Sequence, residues 1–166
     1  EGAALPLSGR PRLYLRNVDP TVAAGYGEVV ATPAAADFAI LRLSTPWQPV
    51  DTPNPMARDF HHGDLDFKGE ALAEILAVLR AVPGLVVVWM DRPAVIPEIS
   101  AAARALLADF GASDAAVLDV LFGRARPEGK LPFELPSSME AVRRQKPDVP
   151  CDSENPLYPF GFGLSY

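Results

Sequence analysis

An apolar run at residues 85–90 limits this chain to a small number of folds. The run reads L-V-V-V-W-M, and a strand with two apolar faces is buried on both, as in a parallel sheet covered by helices. Before it, apolar residues over 69–82 repeat at the i, i+3, i+4, i+7 spacing of an amphipathic helix. Pro83 and Gly84 end that helix. Together, the helix pattern and the apolar run predict a helix that leads into a central strand of a sheet.

Other strands and helices alternate along the chain. Strand patterns cover residues 12–16, 37–43 and 105–110, and helix patterns cover 97–102 and 113–122, with Ser113 and Asp114 as the cap and Gly123 as the end. The tail from residue 124 is extended and rich in proline, with a helical turn near 138–144. Alternation of this kind favours parallel pairing with right-handed crossovers. We therefore expect an α/β fold: a three-layer sandwich with a mostly parallel sheet and helices on both faces, flavodoxin-like.

Composition and charge argue against several classes of protein. Hydrophobic residues make up 49% of the chain and charged residues 22%, which is typical of a globular domain. A net charge of −6 is unfavourable for binding nucleic acid, and no apolar run approaches the roughly 20 residues of a membrane helix. The N-terminus lacks the pattern of a signal peptide. Cys151 is the only cysteine and the two histidines are adjacent, so we expect neither a metal site nor another cofactor.

A long loop carries most of the candidate site residues. Residues 45–67 follow the strand at 37–43 and are broken by prolines, and loops of this length in compact domains are usually functional or disordered. The loop leaves the carboxyl end of a strand, where ligands bind in parallel sheets. Its candidate residues are Trp47, Arg58, Asp59, His61, His62 and Asp64.

Two motifs in the tail and a short N-terminal stretch are the most specific signals in the chain. Residues 119–132 read D-V-L-F-G-R-A-R-P-E-G-K-L-P, which resembles the D-V-L-F-G-x-x-x-P-x-G-[RK]-L-P segment of family 3 of the glycoside hydrolases, the β-glucosidase type. Residues 158–166 read Y-P-F-G-F-G-L-S-Y, which is similar to its Y-P-F-G-x-G-L-S-Y. The start, E-G-A-A-L-P-L, resembles the opening of the family's second domain. The resemblance identifies residues 1–166 as that C-terminal domain.

The resemblance implies a partner and a reaction. In the family the first domain is a (β/α)8-type barrel that supplies an aspartate nucleophile, and the second is an α/β sandwich. In many members the second domain supplies the general acid/base from a loop over the sugar pocket. The reaction is retaining hydrolysis of a β-glycoside, with two carboxyl groups about 5 to 5.5 Å apart. We expect a barrel in the parent chain and a β-glycoside substrate, and no glycosidase activity from this chain alone.

The acid/base cannot be assigned by motif. Many members have a Gly-Glu pair soon after the second strand, whereas residues 43–49 read L-S-T-P-W-Q-P and contain no carboxylate. By location, Asp59 is the candidate, with Asp64, His61 and His62 as alternatives. Loop aspartates are more often simply solvated, and Asp64 after a glycine is typical of a turn. Trp47 and Arg58 are candidates for binding substrate, although Trp47 would equally well pack on the sheet edge.

Three functions remain open on the sequence. The first is the second domain of a β-glucosidase-like enzyme, which forms one wall of the sugar pocket and supplies the acid/base. The second is a non-catalytic domain that supports the barrel. The third is a flavodoxin-like small-molecule module, against which the absence of a glycine-rich turn after residue 16 counts.

Two further expectations concern other parts of the chain. Residues 91–93, after the apolar strand, are favoured as a plain turn. In the tail, four aromatic residues are expected to act as anchors: Tyr158, Phe160, Phe162 and Tyr166.

Overall fold

The computed structural model describes residues 4–58 and 60–166 and contains a five-stranded parallel sheet. The order of strands is β2-β1-β3-β4-β5, so the order reverses between β1 and β3, as in flavodoxin-like folds. The predicted parallel sheet is confirmed. The strands are β1 Arg12–Arg16, β2 Glu28–Val30, β3 Phe38–Ser44, β4 Gly84–Trp89 and β5 Ala105–Asp109.

Helices cover both faces of the sheet, which confirms the three-layer sandwich. The helices α3 and α4 pack with Val86 and Val88 on one face, while α1 and α5 pack with Leu85 and Val87 on the other. All four of these β4 side chains are fully buried, as the unbroken apolar run predicts. The helices are α1 Pro20–Ala23, α2 Pro55–Arg58, α3 Gly69–Ala81, α4 Pro97–Ala102, α5 Asp114–Leu121 and α6 Met139–Arg144, with a 3-10 turn at Pro33–Ala35.

The ends of the helices follow from local side-chain chemistry. The Ser113 hydroxyl accepts from the Ala116 N–H at 3.3 Å and starts α5, and Ser138 starts α6 in the same way through Ala141 at 3.0 Å. Gly123 ends α5 with a φ of +73°. Within the described ranges, no helix is both long and apolar enough to cross a membrane.

The tail folds back over the domain, but not all of its aromatics are buried. Backbone bonds join Leu135 to Tyr158, and the Tyr158 hydroxyl lies 2.7 Å from the Ser100 hydroxyl. The Tyr166 hydroxyl donates to the carbonyl of Val120. Phe160 is 61% exposed, so the expectation that all four aromatics are anchors is wrong for Phe160, because the tail lies on the domain in a way that leaves this ring facing solvent.

Candidate functional site

The segments that follow β3 and β4 are hydrogen-bonded to each other at the carboxyl ends of these strands. The Thr45 N–H donates to the Trp89 carbonyl at 3.0 Å, and the Thr45 hydroxyl donates to the Arg92 carbonyl at 3.0 Å. Thr45 is buried. These bonds fix the start of the loop at residues 45–67 beside the segment that follows β4.

An aromatic and ionisable cluster lies at this junction. The rings of Trp47 and His61 stack, with centroids 4.6 Å apart and planes 8° apart. His61 Nδ1 pairs with the carboxylate of Asp91, and the ring meets Trp89 edge-on at 6.4 Å. Trp47 remains 45% exposed. We call these residues the Trp47–His61–Asp91 cluster; it presents an indole surface to solvent beside a histidine whose ring is held by a carboxylate.

Arg92 donates hydrogen bonds to both arms of the loop. One guanidinium nitrogen donates to the Pro46 carbonyl at 2.5 Å and the other to the Gly63 carbonyl at 3.1 Å. Pro46 precedes Trp47, and Gly63 follows the histidine pair. The favoured interpretation of residues 91–93 as a plain turn is therefore wrong, since Asp91 contacts His61 and Arg92 bonds both arms.

His62 has a bonding partner away from the cluster. Its Nε2 lies 3.0 Å from the Ala57 carbonyl and donates to it, which joins the loop to α2. Its own carbonyl accepts the Gln48 N–H at 2.8 Å. The ring and the backbone of His62 are both engaged in holding the loop.

Asp64 is surrounded by cations. Lys68 Nζ lies 2.5 Å from one of its oxygens and Arg143 Nη2 lies 3.2 Å from the other. The hydrogen bond from Lys68 lowers the pKa of Asp64, and Arg143 adds to that effect. A general acid needs a raised pKa, so the lowered pKa of Asp64 fits a carboxylate that pairs the loop with Arg143 on α6.

Two sequence candidates remain, Arg58 and Asp59. Arg58 is exposed and its Nε donates to the Thr52 carbonyl at 2.8 Å. Asp59 lies outside the described residues. The structure thus brings together Trp47 and His61, which sequence patterns indicated, with Asp91, whose only sequence signal is its place after β4. In residues 4–58 and 60–166, no three His, Cys, Asp or Glu side chains are grouped to hold a metal ion.

Comparison with known proteins gives a family and relatives. The model of the glycosyl hydrolase family 3 C-terminal domain matches residues 7–166. A "Probable beta-glucosidase C" from Aspergillus oryzae is 49% identical over 138 residues, which are 83% of this chain and 21% of that protein. A "Periplasmic beta-glucosidase/beta-xylosidase" from Dickeya chrysanthemi is 41% identical over 166 residues, 98% of this chain and 25% of that protein. The chain spans about a quarter of the length of these relatives.

Solved structures share the fold. A β-glucosidase from Listeria innocua in complex with isofagomine matches 98% of this chain and 31% of its own, with a TM-score of 0.68 and 21% identity. The β-glucosidase D2-BGL from Chaetomella raphigera matches 98% of this chain and 33% of its own, with a TM-score of 0.74 and 17% identity. At these identities the likeness establishes the fold.

Proposed function

The chain belongs to the C-terminal domain family of the family 3 glycosyl hydrolases, and from that premise we propose that it is the second domain of a retaining β-glycoside hydrolase. In this proposal the carboxyl edge of the sheet forms one wall of the sugar pocket. A (β/α)8-type barrel in the parent chain forms the opposite wall and supplies the nucleophile. Relatives named as β-glucosidases support a β-glycoside as the substrate.

The observation that carries the proposal is the Trp47–His61–Asp91 cluster. Ligand sites combine aromatic surface with a few placed polar groups, and here an indole that is 45% exposed adjoins an ionisable pair. The cluster also lies beyond the carboxyl ends of β3 and β4, where ligands bind in sheets of this type. In the proposed pocket, Trp47 forms the platform under a sugar ring, and Arg58 reaches the substrate from the exposed end of α2.

The same loop supplies the general acid/base in this proposal, from either Asp59 or His61. A retaining hydrolase needs a group that first protonates the leaving oxygen and then activates water. His61 has the geometry for it, because its bond to Asp91 through Nδ1 fixes the ring and leaves Nε2 for the substrate. Asp59 precedes it by two residues and offers the carboxylate that family members use. Asp64 and His62 are weaker candidates because cations and a backbone carbonyl already engage them.

A second candidate function is a non-catalytic wall. The absence of a carboxylate in residues 43–49 favours it. In that case the cluster still contacts the sugar, but every catalytic carboxylate comes from elsewhere in the parent.

Replacement of Trp47 tests the wall itself. In the full-length parent, Trp47→Ala should raise KM for an aryl β-glucoside by roughly five- to tenfold, because a lost stacking contact is worth about 1 kcal/mol. Met56→Ala is the matched control, since Met56 lies in the same loop and is 69% exposed. An unchanged KM in the folded Trp47 variant would exclude the cluster from the pocket.

A further inference from the structure

A buried ion-pair network lies at the carboxyl ends of the strands, outside the candidate site. The Arg42 guanidinium bonds the carboxylates of Asp109 and Asp114, each at 2.5 Å. The Asp109 side chain is only 2% exposed, and Asp114 also accepts the Asp19 N–H at 2.8 Å, which anchors the network beside the start of α1. Because ionic groups lose their hydration on burial, such a network adds little net stability. Its main effect is therefore on the geometry of the groups that it contacts.

The register of the sheet places the Arg42 side chain across β4. Arg42 is the register partner of Val87, whereas Asp109 is the partner of Trp89. Register partners and residues two apart on a strand share a face of the sheet, so all four side chains lie on the face that α1 and α5 cover. The ion pair between Arg42 and Asp109 therefore crosses β4 between Val87 and Trp89. Arg42 and Trp89 also line one crevice at this edge of the sheet.

Two contacts connect this network to the Trp47–His61–Asp91 cluster. The Trp89 indole meets the His61 ring with centroids 6.4 Å apart and planes 89° apart. The Asp109 carbonyl accepts the Met90 N–H at 2.8 Å, and Met90 directly precedes Asp91, whose carboxylate pairs with His61. The indole that contacts His61 and the carboxylate that bonds it are thus both next to groups that Arg42 holds.

We propose that Arg42 is a positioning residue for the Trp47–His61–Asp91 cluster. Its side chain occupies the space between Val87 and Trp89, and so fixes the angle at which the Trp89 indole meets His61. Through Asp109 it also fixes the end of β4 that leads into Asp91. The consequence for catalysis rests on the proposed function, whereas the position of the His61 ring can be measured without it.

NMR spectroscopy of this chain tests the positioning directly. The chain has two histidines and two tryptophans, so the ring signals of the cluster are few enough to follow one by one. Arg42→Met should shift the His61 ring signals, because the two indoles beside His61 change the local magnetic field at its protons. The shift should be larger than that of His62, whose ring bonds the Ala57 carbonyl instead.

A matched variant removes an ion pair away from the cluster. Arg12 on β1 bonds the carboxylate of Asp37 at 2.6 Å, and Arg12→Met should leave the His61 signals in place. Unchanged His61 signals in folded Arg42→Met, or equal shifts of His61 and His62, would overturn the positioning role. The same holds if the His61 signals of the unmodified chain show no effect of a neighbouring indole.

A paired substitution covers the possibility that Arg42→Met unfolds the domain by leaving Asp109 buried without a cation. Arg42→Met combined with Asp109→Asn removes both charges. The amide oxygen of the asparagine still accepts the N–H groups of Gly111 and Ala112, which bond Asp109 at 2.9 and 2.7 Å. The His61 signals should shift as in the single variant, and a folded double variant with unshifted signals would contradict the proposal.

Kinetics of the full-length parent test the consequence for catalysis. Arg42→Met should lower kcat/KM for an aryl β-glucoside by about fivefold, chiefly through KM. In a Trp47→Ala background the further loss should be less than about twofold, because the two residues act through one cluster. Equal losses in the two backgrounds would show that Arg42 acts elsewhere. If the parent hydrolyses no glycoside, the proposed function fails, and the His61 signals alone decide the role of Arg42.

Discussion

The side-chain amide of Gln48 lies over Gly63, so closely that a Cβ on Gly63 would overlap the amide oxygen and lie 3.0 Å from the Gln48 Cβ. The same oxygen accepts the Asp64 N–H at 2.6 Å. Gly63 has a φ of +83°, in the region that favours glycine. Because Gln48 follows Trp47 and Gly63 closely follows His61, this contact holds the two halves of the cluster in register.

We therefore predict that Gly63→Ala disturbs the cluster. A methyl group there displaces the Gln48 amide and removes its bond to Asp64, and the left-handed backbone adds about 1 kcal/mol of strain. Gly69→Ala is the control, since Gly69 also has a positive φ, +54°, but has open space for a Cβ. Thermal melting should show a larger loss for Gly63→Ala than for Gly69→Ala, which carries the backbone strain alone, and kcat/KM of the parent should fall only for Gly63→Ala. Equal activities would show that the Gln48 contact is dispensable.

Arg92→Met should loosen both arms of the loop at once. The variant loses the bonds to Pro46 and Gly63, and hydrogen bonds from a charged donor are worth roughly 1.5 to 3 kcal/mol each. We expect kcat/KM in the parent to fall by about tenfold, chiefly through KM if Trp47 is the displaced group. Arg80→Met, on the exposed side of α3, is the control. An unchanged kcat/KM in the parent with Arg92→Met would mean that the loop keeps its position without these two hydrogen bonds.

Much of the fold is predictable from the sequence because long elements carry strong periodic signals. The pattern of α3, the buried run of β4 and the cap at Ser113 all depend on nearby residues. Two short elements give no such signal: β2 has three residues at the edge of the sheet, and α2 has four in the middle of a loop. The helix α1 is equally short, with four residues, and the Asp19 side chain caps its start.

The site is less predictable because it depends on pairs far apart in the chain. His61 and Asp91 are separated by 30 residues, and only the register of β3 with β4 brings them together. A turn after a strand is the commonest fate of a sequence such as Asp91-Arg92-Pro93, so local patterns favour it. The exposure of Phe160 is equally nonlocal, since it depends on how the tail lies on the domain.

The pKa of Asp64 predicts how its contribution to stability changes with pH. Lys68 lowers that pKa in the folded chain, so the pair stabilises the fold above the unfolded value of about 4 and ceases to do so as the pH falls through the lower, folded value. Asp64→Asn should therefore lower the melting temperature slightly at neutral pH, and the difference should vanish in acid. Asp51→Asn, at an exposed position of the same loop, should show no such trend. A difference that grows in acid would contradict the assignment.

Two neighbouring tail aromatics should differ in their effect on stability. Tyr158 bonds Ser100, contacts the Phe162 ring with centroids 4.8 Å apart and packs on the core, so Tyr158→Ala should cost about 2 to 4 kcal/mol. Phe160 is 61% exposed, so Phe160→Ala should cost less than about 0.5 kcal/mol. Chemical denaturation of the two variants measures both values. A large cost at Phe160 would mean that another part of the protein covers its ring.

The identity of the acid/base can be decided by the leaving group. If Asp59 is the acid/base, Asp59→Ala should slow hydrolysis of an unactivated disaccharide far more than that of a 2,4-dinitrophenyl glycoside, because only the former needs protonation. Azide should restore turnover of the activated substrate, since it attacks the glycosyl-enzyme without a base, and the product should be the β-glycosyl azide. His61→Gln should then show neither the leaving-group dependence nor the azide rescue.

The opposite pattern would assign the role to His61. His61→Gln would show the leaving-group dependence and the azide rescue. Asp91→Asn would slow hydrolysis of both the disaccharide and the activated glycoside, because the His61 ring is no longer held in place. Azide would not restore turnover of the Asp91→Asn variant. Asp51→Ala is the matched control, as an aspartate of the same loop at an exposed position. A third outcome is that the rate loss caused by Asp59→Ala and by His61→Gln does not depend on the leaving group, while Trp47→Ala still raises KM. In that case the domain forms a wall of the pocket, and the proton donor belongs to another part of the parent chain.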